Sequence, residues 1–337
     1  MGENNLSERK RKVLQALVDS YITSVEPISS NEIQARYMPE VSTATIRSEL
    51  STLEELGYLT QPHVSSGRIP SSKAYKYYVR NFIDQKDIDT TEIEKLVFQR
   101  FESVQEIVEG GARIVSDATN YTSMLMLSSA DNIVVKDVKV VDLFDGSALV
   151  LVITDSGVIS NKQISLPQNP ETNYIEVANN LLAKTFGGKS LSEILRDKNM
   201  AEGALDDFRE LCQDVVNLVA DFKKTRDGKV FVEGTEKIFE YPEYQNMDNV
   251  KNFMSIVNHK DKLQNLLKED GDIEFNIKIG AEDDKDLENM AIVSAVYKMD
   301  GKEIGQLGVI GPERMDYKKV LKVLKLLGKL IGSVNND

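Results

Sequence analysis

The feature that most constrains this chain is a pair of helix starts close together, at Ser29 and Ser42, with a stop between them. In Ser29-Ser30-Asn31-Glu32 a glutamate follows a serine by three residues, the pattern of a capping box, and Ile28 and Ile33 stand where a hydrophobic staple forms. Met38-Pro39-Glu40 breaks that helix. Ser42 caps the next one, with Val41 and Ile46 as a second staple. Ile46, Leu50, Leu53 and Leu56 then recur at helical spacing, and Gly57 supplies a C-terminal stop. An earlier helix, capped by Ser7, carries Val13, Leu14, Leu17, Val18 and Tyr21 on one side. Helices this short and this closely joined bury their apolar stripes only by packing on one another.

What the third helix leaves outside is small and polar. At about 100° per residue, Ala44, Arg47, Ser48 and Ser51 face away from the leucines. Tyr58-Leu59-Thr60 reads as a short strand, Pro62 to Gly67 as a turn, and Arg68-Ile69-Pro70 as the returning strand. A fourth helix runs from about Ser71 to Asp84, with Tyr75, Tyr78, Val79 and Phe82 inward. Three helices and a hairpin are the parts of a winged helix-turn-helix. The major groove of DNA admits one helix, and short polar or arginine side chains near its N-terminus read base edges. Ser42, Thr43, Ala44, Thr45, Arg47 and Ser48 are the expected groove contacts. Ser65, Ser66 and Arg68 in the wing and Lys73 and Lys76 after it are the expected backbone contacts, and His63 and Gly67 in the wing and Ser29 and Ser30 at the second helix start are further expected DNA-binding residues. On pattern alone a protein-docking module is the alternative.

Charge is distributed to suit a DNA-binding head. The chain of 337 residues carries a net charge of -13, yet residues 1–80 hold ten basic against nine acidic side chains. The other 31 basic and 45 acidic residues make the remainder acidic. No apolar run approaches the roughly 18 residues that cross a bilayer, and "MGENNLSERKRK" lacks the apolar stretch of a signal peptide. A single cysteine, Cys212, excludes an internal disulfide, and the chain reads as cytoplasmic.

Beyond a polar linker at 84–92, the pattern predicts α+β bodies. A long amphipathic helix ends near Asn120 and a strand follows at 121–127. Three strands come next, separated by Asp145-Gly146-Ser147 and Asp155-Ser156-Gly157, then helices over about 171–227. A strand at 229–234, helices over 248–269, three more strands and a closing helix from Tyr317 complete the chain. Strand 121–127 and those after 229 would complete one sheet without the stretch between, so 132–227 reads as an insertion. The expected domains are therefore 1–85, 92–131 with 228–337, and 132–227.

Nothing reads as a catalytic, metal or cofactor site. "FGGKS" (Phe186–Ser190) lacks the first glycine of a P-loop, since Ala183 stands there. His63 and His259 are the only histidines, and neither clusters with Cys212, a small residue among helical apolar positions. "EDDKD" (Glu282–Asp286) fits no calcium loop.

The linked runs "PISS", "VSTATIRSELSTLEELGYL" and "QPHVSSGRIPSSKAYKYYV" are similar to the N-terminal signature of the bacterial heat-inducible transcription repressor family HrcA. "DSGVISNKQISLP", "IKIGAE" and "GVIGPERMDY" extend the resemblance, in order, over most of the chain. Thr43, Ser48 and Ile28-Ser29 depart from that family's usual residues. The resemblance implies a homodimeric repressor of chaperone operons, bound to an inverted-repeat (CIRCE-type) operator. It also implies a GAF-like body, an inserted dimerisation domain, and release when heat titrates a GroEL-type chaperonin away. The expected dimer contacts are Leu211, Val215, Leu218 and Phe222 in the insertion and Arg314 in the body. A regulator whose GAF-like body senses a small metabolite is the alternative.

Overall fold

The computed structural model describes residues 6–63, 66–83, 104–155, 157–166, 173–197, 208–227, 229–267, 275–299 and 302–333. The head comprises α1 (Glu8–Ser24), α2 (Ser30–Tyr37), α3 (Thr43–Glu55), the two-residue strands β1 (Leu59–Thr60) and β2 (Ile69–Pro70), and α4 (Ser72–Phe82). A serine hydroxyl caps each helix start: Ser7, Ser29, Ser42 and Ser71 accept the N–H of Lys10, Glu32, Thr45 and Ala74. The box at α2 is half made, because the Glu32 carboxylate turns to Arg36 one helical turn on, at 3.0 Å. Of the staple positions Ile28, Ile33 and Ile46 are buried, in a core with Val13, Leu14, Leu17, Leu50 and Leu53, while Val41 is half-buried. Leu56 is only half-buried, and Glu49 takes a place on the buried side of α3. Its carboxylate lies 2.6 Å from Arg9 Nε and 3.1 Å from Lys10 Nζ, both on α1. An acid is tolerated there because two cations and their hydrogen bonds offset its desolvation.

The chain continues through α5 (Val104–Thr119), β3 (Thr122–Leu127), β4 (Val135–Asp142), β5 (Ser147–Thr154), β6 (Gly157–Ser165), α6 (Tyr174–Phe186), α7 (Leu191–Arg196) and α8 (Arg209–Arg226). It ends with β7 (Val230–Glu233), α9 (Met247–Val257), α10 (Lys260–Leu267), β8 (Phe275–Ile279), β9 (Met290–Met299), β10 (Lys302–Pro312) and α11 (Tyr317–Ser333). The linker read at 84–92 lies outside the described residues.

The described residues form two compact units: those up to Met126 together with those from Val230, and those from Leu127 to Lys229. In the first, one sheet has the order β7-β3-β10-β9-β8. β3 pairs antiparallel with β7, Ser123 opposite Glu233 and Met126 opposite Val230, so the sheet closes across the stretch between them. On one face Gly111 of α5 lies against Leu327 of α11 and Leu307 of β10, and α9 and α10 cover the other through Phe253, Ile256 and Leu267. The head belongs to this unit. Ser72 Oγ donates to the Glu313 carboxylate at 2.8 and 2.9 Å, Lys76 pairs with Glu282 and Asp283, and Lys318 reaches Asp19. Burial pushes the Glu313 carboxyl above its ordinary range, against the pull of Ser72 and Lys76.

The second unit is an antiparallel meander, β4-β5-β6, with Val141 opposite Leu149 and Leu149 opposite Gln163. Val138, Val140, Val150 and Val152 pack against Leu182, Phe186, Leu211, Val215 and Val219 of the helices. On the other face Leu149, Leu151 and Ile153 are half-buried, Val141 is exposed, and Phe144 at the hairpin tip is 92% exposed.

Candidate nucleic-acid interface

The outward face of α3 is as the helical spacing requires: Ala44, Arg47 and Ser48 are exposed while Ile46, Leu50 and Leu53 are buried. Two of the expected groove contacts have structural work of their own. Ser42 Oγ accepts the Thr45 N–H at 3.1 Å, and the two hydroxyls bond each other at 2.8 Å. Thr43 is half-buried. Arg47 makes no ion pair or hydrogen bond among the described residues, so its guanidinium is available to a ligand.

The wing folds back toward the entry of α2. Ile28 and Arg68 exchange both main-chain hydrogen bonds at 2.9 Å, one bridge that adds Ile28 to the β1/β2 hairpin. The turn is held by the Ser66 hydroxyl, which donates to His63 O at 2.7 Å and accepts the His63 N–H at 3.0 Å, and by Gln61 Nε2 donating to Ser66 O at 3.0 Å. Gly67 is required by closeness. A Cβ there would lie 2.4 Å from Ile28 O. Arg68 does not project freely: its Nε lies 2.8 Å from Glu54 Oε2 in the last turn of α3, and its side chain is 16% exposed. Between the start of α2, the face of α3 and the wing lies a cleft of about 410 Å³, walled by Ser29, Ser30, Asn31, Arg47, Ser51 and Gln61 and floored by Ile28 and Leu50.

The cleft thus joins Ser29, Ser30, Arg47, Ser66, Gly67 and Arg68, six positions singled out in the sequence. His63 is exposed, and Ser65 lies outside the described residues. The cleft also takes Ser51, on the outward face of α3 that the helical spacing defines, and Asn31 and Gln61, which the sequence does not mark: Asn31 lies one residue from Ser30, whereas no local signal points to Gln61. Lys73 is exposed, but its ammonium donates to Leu56 O at 2.8 Å, satisfying a carbonyl at the end of α3, and sits 4.5 Å from the centre of the Tyr58 ring. Lys76 lies apart, held between Glu282 and Asp283. The acidic loop of the body pairs with the charge that suggests a phosphate contact.

The residues expected at a subunit contact are internal. Leu211, Val215 and Leu218 are in the core of the second unit, and Phe222 packs against that core. Their helical repeat marks a buried face, and the helix meets its own sheet. Arg314 is 8% exposed: it donates from Nε and Nη2 to the Glu243 carboxylate at 2.5 and 3.2 Å and from Nη1 to Ile22 O at 3.4 Å, joining body to head within the first unit. Cys212 is buried, and burial raises its thiol above the ordinary range, the opposite of an activated nucleophile. Among the described residues no group of His, Cys, Asp and Glu could hold a metal ion, and no helix is long and apolar enough to cross a membrane.

A capped helix pair, an arginine-bearing third-helix face and a wing drawn against it define a winged helix-turn-helix DNA-binding protein, here joined to α+β units. Residues 5–83 match the model of the winged helix-turn-helix transcription repressor, HrcA DNA-binding, and residues 105–321 match that of the HrcA protein C-terminal domain. The chain belongs to the HrcA family of heat-inducible transcription repressors, a family of regulators and not of enzymes. It is 31% identical to the heat-inducible transcription repressor HrcA of Thermoanaerobacter pseudethanolicus, over 98% of this chain and 99% of that one. It is 35% identical to the HrcA of Brevibacillus brevis, over 96% of each. A crystal structure described as that of a hypothetical protein shares the fold, with a TM-score of 0.69 at 22% identity over 98% of this chain and 99% of its own.

Proposed function

We propose that this chain represses transcription in the cytoplasm as a homodimer on an inverted repeat of double-stranded DNA, the CIRCE-type operator of chaperone operons, and needs a GroEL-type chaperonin to hold its active state. Arg47 carries the reading: it is exposed, has no partner among the described residues, and stands beside a polar cleft that the wing closes. In the assigned roles α3 enters the major groove, Arg47 reads a base edge with Ala44 and Ser48 beside it, and the cleft takes backbone phosphate through Ser29, Ser30 and Asn31. Two copies related by a two-fold axis present two such helices, which is why the site is a palindrome. Fluorescence anisotropy with an inverted-repeat duplex and a scrambled one, each with and without chaperonin and ATP, tests this. Preference for the inverted repeat that rises with chaperonin supports the reading; equal binding to both duplexes under all conditions refutes it.

Self-association through the second unit is part of the proposal, by a face other than α8. The outer side of the meander, with Val141, Leu149, Leu151 and Ile153, and the protruding Phe144 support that assignment, since a hairpin tip gains nothing from an aromatic ring in water. Phe144→Ser combined with Leu151→Asp then gives monomers in sedimentation; an unchanged dimer removes this face.

A further inference from the structure

Arg68 is the residue of "SSGR" that a reading by charge sends to the DNA backbone, and its surroundings give it another task. Its main chain is bonded in both directions to Ile28, the residue before the cap of α2. Its side chain reaches the other way, to Glu54 at the end of α3. One residue therefore ties the wing to the start of one helix and to the finish of the other. Gly67 beside it lets the wing strand lie against the carbonyls of Pro27 and Ile28. Glu54 sits in the last turn of α3, where the helix dipole favours a cation and disfavours a bare carboxylate, so Arg68 answers both needs there. The pair is partly shielded from water, at 16% and 34% side-chain exposure, and is screened less by salt than an open surface pair. Arg47, on the same cleft, has no such anchor.

The geometry points to Arg68 as a positioning residue, locked to Glu54 so that the wing and α3 meet the duplex as one rigid pair, and not as a phosphate-neutralising cation. This rests on the nucleic-acid reading above. The two roles give opposite signs for a change at Glu54. If Arg68 serves phosphate, Glu54 competes for it; Glu54→Gln frees the guanidinium, removes a negative charge beside the duplex, and strengthens binding. If Arg68 positions the wing, Glu54→Gln loosens the wing and weakens binding although the chain has become less acidic.

The test measures affinity for a mixed-sequence duplex at several salt concentrations, using the full chain with Glu54→Gln, Arg68→Gln and both. Amide hydrogen exchange across the wing accompanies it. The expected result is a loss of about two- to fivefold for each single change, a double variant no worse than either, and faster exchange at the Ile28 and Arg68 amides in all three. Glu54→Gln is nearly isosteric and keeps the fold testable if Arg68→Gln does not fold. Tighter binding by Glu54→Gln, or losses and gains that add in the double variant, overturns the inference while leaving the nucleic-acid reading intact. A wild-type chain that ignores every duplex sinks that reading and this inference with it.

Discussion

Replacing Gly67 by alanine tests the wing with one methyl group. The added Cβ would lie 2.4 Å from Ile28 O, 2.5 Å from Ile28 C and 2.6 Å from Pro27 O, all main-chain atoms that cannot swing aside. A carbon and a carbonyl oxygen come to rest about 3.3 Å apart, so the strand must retreat by about 0.9 Å. The two Ile28–Arg68 bonds, each 2.9 Å, cross the same gap. Lengthened by that amount they leave hydrogen-bonding range. At about 0.5–1.5 kcal/mol net for each bond, the wing loses about 1–3 kcal/mol of closure, a fall of about 5- to 150-fold in the closed-to-open ratio. Nothing in the helical core of the head is touched, so melting of the full chain moves little. Hydrogen exchange at the Ile28 and Arg68 amides rises by the same factor, and affinity for a mixed-sequence duplex falls in proportion to the fraction of closed wing that is lost. Gly67→Ala with wild-type exchange and wild-type affinity would refute the argument that the wing is held by this close approach.

Other outcomes follow from neighbouring contacts. Arg47→Ala relaxes discrimination at one base pair by about 1–3 kcal/mol, read by competition between single-base variants of a bound duplex; an equal loss on every sequence removes its groove role. Burial works to raise the Glu49 carboxyl, but hydrogen bonds from Arg9 and Lys10 overcome it and hold the group below its ordinary value. A depressed folded value stabilises above the unfolded pKa of about 4.3 and ceases to as pH falls through the folded one. The melting gap between wild type and Glu49→Gln is therefore open at neutral pH and closes in acid; a gap that widens in acid contradicts this. Arg314→Ala strands the Glu243 carboxylate at a cost of about 2–3 kcal/mol, seen as a lower melting temperature with the oligomeric state in sedimentation unchanged; a shift to monomers instead restores Arg314 to a subunit contact.

The local signals were legible because each acts within a few residues. A serine hydroxyl caps the N–H three positions on, so Ser29, Ser42 and Ser71 begin helices wherever the chain goes next. Hairpin turns placed β4, β5 and β6, and the missing partners of β3 pointed to a sheet completed after residue 229. The exposure of Arg47 followed from the helical repeat alone.

Partnerships over long sequence separations were decided by the tertiary structure. A basic residue reads the same whether it meets phosphate or carboxylate, so Arg68, Lys76 and Arg314 were legible as charges and not as the partners of Glu54, Asp283 and Glu243. An apolar stripe says that a face is covered and not by what; in α8 the cover is the unit's own meander. The cleft itself needs Ser29, Arg47 and Gln61 brought together from three elements, and that meeting depends on a wing whose place is set by Gly67 and Arg68 against Ile28. Caps, repeats and turns are short-range preferences carried by the sequence. Which charge meets which, and which apolar face is left open, depends on packing that exists only once the chain has folded.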